Sequence, residues 1–110
     1  REYFMTKGHI HESDKAPEVY ITLKGKGKLL LQNTEDEIKI FDMKKEQINY
    51  IPSGWAHRAV NIGDEELVFL GIYPAASQRD YSFIGKSKKN FGKLIIEKKG
   101  ECNIIDNPQW

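Results

Sequence analysis

An all-β chain is predicted by three features of the sequence. Short runs rich in β-branched and aromatic residues follow one another, turn residues separate them at regular intervals, and no helical period persists beyond a few residues. Strands are expected over residues 2–6, 19–23, 28–32, 38–43, 47–51, 57–62, 67–73, 94–97 and 103–105. Their boundaries are chemically marked. Gly25-Lys26-Gly27 supplies a flexible hairpin after the second run, residues 33–36 a polar turn before the fourth, Pro52-Ser53-Gly54 a sharp turn before the sixth and Gly63-Asp64-Glu65 another before the seventh. Such spacing suits a sandwich or a closed barrel. The run ending at Tyr73 is apolar on both faces, with Leu67, Phe69, Gly71 and Tyr73 on one and Val68, Leu70 and Ile72 on the other, which predicts burial on both sides. Residues 74–90 lose the alternation and form either a long loop or a stretch carrying a short helix near residues 80–85.

Length and charge narrow the class. The chain has 110 residues, enough for one domain but near the lower range for a barrel. A formal net charge of +1 argues against a nucleic-acid or membrane-surface protein, whose affinity rests on a concentrated positive field. The one basic concentration, Lys86, Lys88, Lys89, Lys93, Lys98 and Lys99, reads as a solvated face. Cys102 is the single cysteine, so no internal disulfide forms, which fits a reducing cytoplasm. No apolar run approaches the roughly 20 residues that span a bilayer. The chain opens at Arg1 without Met and is expected to be part of a longer protein.

The chemistry concentrates in three histidines. Side chains alternate faces along a strand, so His9 and His11 point the same way and can hold one ion. Glu18 would arrive from the next strand, and a tight turn through Pro52 and Gly54 would deliver His57. Three nitrogens and a carboxylate oxygen suit Fe, Mn, Ni or Zn, with at least two octahedral positions left for water or substrate. A lone His-x-His is weak evidence, because surface or hydrogen-bonded histidines read the same way. Here all three histidines of the chain fall on two patterns, His-x-His-x6-Glu-x6-Gly ending at Gly25 and Pro-x-Gly-x2-His-x3-Asn ending at Asn61. By register Tyr20 shares the face of Glu18 and Thr22 and points into the same cavity. Trp55 and Trp110 read as packing or interface residues.

Both patterns resemble the two cupin motifs. One position departs: the second motif usually opens on Gly six residues before the Pro, and Glu46 stands there, where the turn must form without glycine's freedom at positive φ. Thr6-Lys7-Gly8-His9-Ile10-His11-Glu12, Glu18-Val19-Tyr20, Trp55-Ala56-His57-Arg58-Ala59-Val60-Asn61, Ile72-Tyr73-Pro74-Ala75 and Asp106-Asn107-Pro108-Gln109-Trp110 extend the likeness along the whole chain. They resemble the cupin-type phosphoglucose isomerases of archaea and some bacteria. That resemblance implies a double-stranded β-helix barrel over residues 1–110, lacking an N-terminal segment that the family possesses. It implies interconversion of glucose 6-phosphate and fructose 6-phosphate, in glycolysis or gluconeogenesis, by a cytoplasmic homodimer. One divalent metal per chain goes with it, Fe2+ first and Mn2+, Ni2+ or Zn2+ otherwise. The metal ligands carry over to His9, His11, Glu18 and His57, the sugar-phosphate contacts to Thr6 and Gly8, and the cavity tyrosines to Tyr20, Tyr73 and Tyr81. Arg79 replaces a histidine common in the family two residues before Tyr81, and a guanidinium there is suited to phosphate.

Moving hydrogen between C1 and C2 of a sugar needs a group that polarises the carbonyl and one that handles the proton or hydride. The metal supplies the first as a Lewis acid. Glu18 is the expected base of an enediol route, with Tyr20 and Tyr73 beside it, and a metal-supported hydride shift remains the other possibility. Because fold does not determine chemistry, the competing readings are another metal-dependent cupin enzyme, such as a phosphomannose isomerase or a dioxygenase, and a non-catalytic sugar-binding cupin.

Overall fold

The computed structural model describes residues 3–6, 8, 10–11, 17–74, 79–80 and 91–108, with backbone alone at residues 10, 11, 79 and 80. Among the described residues ten strands follow in order: β1 (Ile10–His11), β2 (Glu18–Lys24), β3 (Lys26–Asn33), β4 (Ile38–Lys44), β5 (Ile48–Ile51), β6 (Trp55–Asn61), β7 (Val68–Ile72), β8 (Arg79–Asp80), β9 (Lys93–Lys98) and β10 (Glu101–Asp106). The all-β class expected from the patterning is what forms, and no described residue is helical. The short helix near residues 80–85 is corrected at its first residue, because Asp80 pairs with Ile10 as strand; residues 81–85 lie outside the described residues. The first expected strand is reduced to a bridge between Met5 and Val60, flanked by backbone bonds from Thr6 N to Ala59 O and from Asn61 N to Phe4 O.

Two antiparallel sheets of three strands, ordered β5-β2-β7 and β4-β3-β6, face each other. The chain passes from one to the other at nearly every turn. This corrects the hairpin expected at Gly25-Lys26-Gly27: β2 and β3 belong to different sheets, so the turn is a corner. Gly25 makes that corner at φ +86, and a Cβ there would stand 2.4 Å from the Glu66 carbonyl oxygen, so only glycine satisfies both the dihedral and the close approach. The next corner, between β4 and β5, is made by Glu46 at φ 72. Backbone bonds from Glu46 N to Thr22 O (2.8 Å) and from Gln47 N to Lys44 O (2.9 Å) hold it in the left-handed region that glycine would occupy freely.

Alternation along the strands sends Tyr20, Leu29, Leu31, Met43, Ile51 and Ala59 inward to one apolar cluster, joined by Trp55, Leu67 and Phe69. The central strand β3 is buried on both faces, with Leu29, Leu30 and Leu31 each at most 1% exposed. Its outer face is covered by the β9–β10 hairpin, where Leu30, Ala56 and Phe91 form a second cluster against Ile38 and Ile40. Lys99 (φ 54) and Gly100 (φ 78) form the two-residue turn with both central φ positive that suits the twist of paired strands.

The other sheet has no such cover among the described residues. Leu23, Ile48, Tyr50, Val68, Leu70 and Ile72 are between 39% and 66% exposed on its outer side. The expectation that the strand ending at Tyr73 is buried on both sides is therefore corrected: apolarity on both faces reflects an inner face in the core and an outer face left open.

Replacing Glu46 with Gly removes a left-handed strain of roughly 1–2 kcal/mol and adds about 0.4–1 kcal/mol of unfolded-state entropy, so a net gain of about 0.5–1 kcal/mol is expected in urea denaturation. Burial pushes the Cys102 thiol above its usual range. Alkylation by iodoacetamide at pH 8 is expected to be slower for the folded protein than for the same protein in denaturant, since the thiolate is the nucleophile.

Candidate active site

Glu18 opens β2 and pairs with Ile51 of β5, while His57 lies in β6 opposite Leu31 of β3. Their strands belong to facing sheets, so the two inward side chains meet across the interior. Glu18 Oε2 stands 3.0 Å from His57 Nε2, and each side chain is 1% exposed. On the other side of the ring, His57 Nδ1 is 3.4 Å from the Trp55 carbonyl oxygen. With the proton on Nδ1 and directed to that carbonyl, Nε2 presents a lone pair to a carboxylate that also only accepts. Two acceptors at this distance need a shared proton or a cation between them. Neighbouring ligands of an octahedral ion, with bonds of roughly 2.0–2.2 Å, have their donor atoms about 3 Å apart, so this pair fits a common metal.

The walls of the site follow from the same register. Tyr20 meets the His57 ring edge-on, with centroids 5.6 Å apart and planes at 83°, and packs against Phe69 at 4.6 Å. Gly71 of β7 lies opposite Tyr20, where a Cβ would stand 3.1 Å from Glu18 Oε1 and 3.2 Å from Tyr20 Cε1. Gly71 and Phe69 are site residues that pattern reading placed only on a strand face. Their signal was present in the register: both share the inward face of β7.

The remaining expected residues divide into three groups. β1 lies against β6, which brings the His11 backbone to the strand carrying His57, and its partner across the ladder is Arg79 of β8. Gly8 is buried, at φ +89, with its would-be Cβ 3.3 Å from the His57 carbonyl oxygen. Thr6 is exposed, and its hydroxyl oxygen accepts from Ala59 N at 3.0 Å, leaving the hydroxyl proton to donate. It borders a cavity of about 340 Å³ that Phe69 also lines. Tyr73 is 40% exposed just beyond β7, outside the core that holds Tyr20. His9, Tyr81 and the side chains of His11 and Arg79 lie outside the described residues. Asn61, which closes the second motif, has a turn-forming role: its amide donates to Glu65 O at 2.9 Å and its carbonyl oxygen accepts from Gly63 N at 3.0 Å.

Two sheets wound by a chain that alternates between them, around a buried carboxylate and imidazole, give the cupin fold. Its backbone superposes on an oxalate decarboxylase of Bacillus subtilis, described with Mn(II) centres, at a TM-score of 0.61 and 24% identity, over 79% of this chain and 23% of that one. The sequence profile of the glucose-6-phosphate isomerase (GPI) family matches residues 1–110, and the chain belongs to that family. The glucose-6-phosphate isomerases of Pyrococcus furiosus and Pyrococcus horikoshii are each 48% identical over 110 residues. The chain spans all of its own length and 57% of each of theirs.

Gly71→Val directs a branched side chain at the Glu18 carboxylate and the Tyr20 ring. A loss of about 1–3 kcal/mol is expected in denaturant titration, the range for overpacking, together with a Glu18–His57 separation that departs from 3.0 Å in a crystal structure of the variant.

Proposed function

We propose that this protein is a metal-dependent aldose–ketose isomerase that interconverts glucose 6-phosphate and fructose 6-phosphate in the cytoplasm. The observation that carries this reading is the Glu18–His57 pair, 3.0 Å apart and 1% exposed inside a barrel of the isomerase family. His9, His11, Glu18 and His57 hold one divalent ion, Fe2+ in the first instance. When bound, that ion polarises the sugar carbonyl as a Lewis acid.

The chain's own residues do the rest. Glu18 takes the proton from the carbon next to the carbonyl and returns it to the neighbouring carbon. Tyr20, held edge-on to His57 and against Phe69, shapes the wall along which the sugar lies and directs its hydroxyl toward sugar oxygens. Thr6, the Gly8 backbone and Arg79 receive the phosphate, and Tyr73 and Tyr81 bind the sugar. The open apolar face bearing Ile48, Tyr50, Leu70 and Ile72 is the surface that a second copy of the chain buries in a homodimer, since so much exposed apolar area is costly in a monomer.

The test uses the full-length gene product, reconstituted with Fe2+ and supplied with fructose 6-phosphate in an assay coupled to oxidation of glucose 6-phosphate. Metal-dependent turnover is expected, and none after chelation. His57→Ala is expected to lose most of its metal by elemental analysis. Glu18→Gln keeps the size and one oxygen ligand, so metal retention with kcat lowered roughly 10²–10⁴-fold is expected. An undiminished rate in that variant would favour hydride transfer without a carboxylate base. Full-length protein that stays monomeric in light scattering would overturn the homodimer.

A further inference from the structure

The segment that carries two of the proposed ligands begins at Gly8, and Gly8 is closely packed where a Cβ would stand. The His57 carbonyl oxygen is 3.3 Å from that position, and the Phe91 ring approaches it with Cε2 at 2.7 Å and Cζ at 3.1 Å. Phe91 is itself fully buried, under the guanidinium of Arg58, whose central carbon is 4.6 Å from the ring centroid. Arg58 follows His57 in β6, so the Phe91 ring touches both the entry to the ligand segment and the strand that presents His57.

Phe91 is held in turn by its backbone. Its carbonyl accepts from the Asn107 side-chain amide at 2.8 Å, in a buried hydrogen bond. The next carbonyl, of Gly92, accepts from Asn107 N at 3.0 Å, and Gly92 N donates to the buried Gln32 side chain of β3 at 2.8 Å. Three hydrogen bonds therefore tie the Phe91-Gly92 step to the central strand and to the Asp-Asn-Pro sequence near the end of the chain.

We propose that Phe91, clamped by Asn107, is a positioning residue for the metal site: its ring fills the space beside Gly8 and the His57 backbone and so fixes the start of the segment that carries His9 and His11 relative to His57. The inference rests on His9 and His11 being ligands. It assigns a role to the Asn107 motif, which the isomerase reaction leaves unexplained. A residue that orients ligands from outside the coordination sphere changes metal affinity by roughly 10–100-fold when altered.

The experiment measures the manganese(II) dissociation constant of the metal-free full-length protein, below its unfolding transition, alongside the electron paramagnetic resonance spectrum of the bound ion. Phe91→Leu and Asn107→Ala are each expected to weaken binding by at least tenfold and to alter the spectrum; a purely structural role lowers the thermal midpoint and leaves both unchanged. Should Phe91→Leu fail to fold, Asn107→Ala reports on the same clamp. Gly8→Ala completes a double-mutant cycle, with a smaller loss of affinity expected in the Phe91→Leu background, where the ring it would strike is gone. Unchanged affinity in Phe91→Leu and Asn107→Ala, while His57→Ala no longer binds manganese, would overturn the positioning role alone. Unchanged affinity in His57→Ala as well would overturn the ligand assignment, and the positioning role with it.

Discussion

A carboxylate and an imidazole brought together in an apolar interior form the constraint on which this structure depends. An isolated buried charge costs several kcal/mol or more, and Glu18 and His57, each at 1% exposure, face one another at 3.0 Å. That separation is set by neither residue's own strand. It requires the sheets β5-β2-β7 and β4-β3-β6 to lie at a fixed distance and in a fixed register, since a slip of one residue would turn Glu18 or His57 to the opposite face. Tyr20, edge-on to the ring, and Gly71, which leaves room for the carboxylate, hold the pair in that arrangement.

The rigidity comes from one side of the molecule. β3 is apolar and buried on both faces, paired to β4 and β6 and backed by the β9–β10 hairpin, so His57 projects from a sheet packed on both sides. Glu18 projects from the other sheet, whose outer face is open among the described residues. Two polar groups that meet at bonding distance are thus carried by one sheet braced within the chain and one whose outer apolar surface is open among the described residues.

Glycines mark where backbone must come close to backbone. Gly25 turns a corner under Glu66, and Gly8 packs closely beside the His57 carbonyl and the Phe91 ring. Glu46 makes its corner at positive φ without being glycine, held by Thr22 and Lys44. The second cupin motif therefore keeps its turn although its first residue has changed, because two backbone hydrogen bonds supply what the side chain disfavours.

Much of this was legible along the chain. Alternation marks the strands near their observed positions, and the His-x-His-x6-Glu and Pro-x-Gly-x2-His spacings single out His9, His11, Glu18 and His57 as one set, of which Glu18 and His57 meet among the described residues. The register of β2 likewise put Tyr20 beside them. What the sequence could not contain was which sheet each strand joins: Gly25-Lys26-Gly27 is a flexible turn whether it closes a hairpin or rounds a corner, and only long-range pairing of β2 with β5 and β7 made it a corner. An apolar outer face on Val68, Leu70 and Ile72 announces that burial is wanted and not what provides it. Register put Gly71 on the inward face of β7, but its closeness to Glu18, like that of Phe91 to Gly8, stayed silent for the same reason. Their importance lies in distances to Glu18 and Gly8, residues far away in sequence, and such distances exist only once the two sheets and the hairpin have packed.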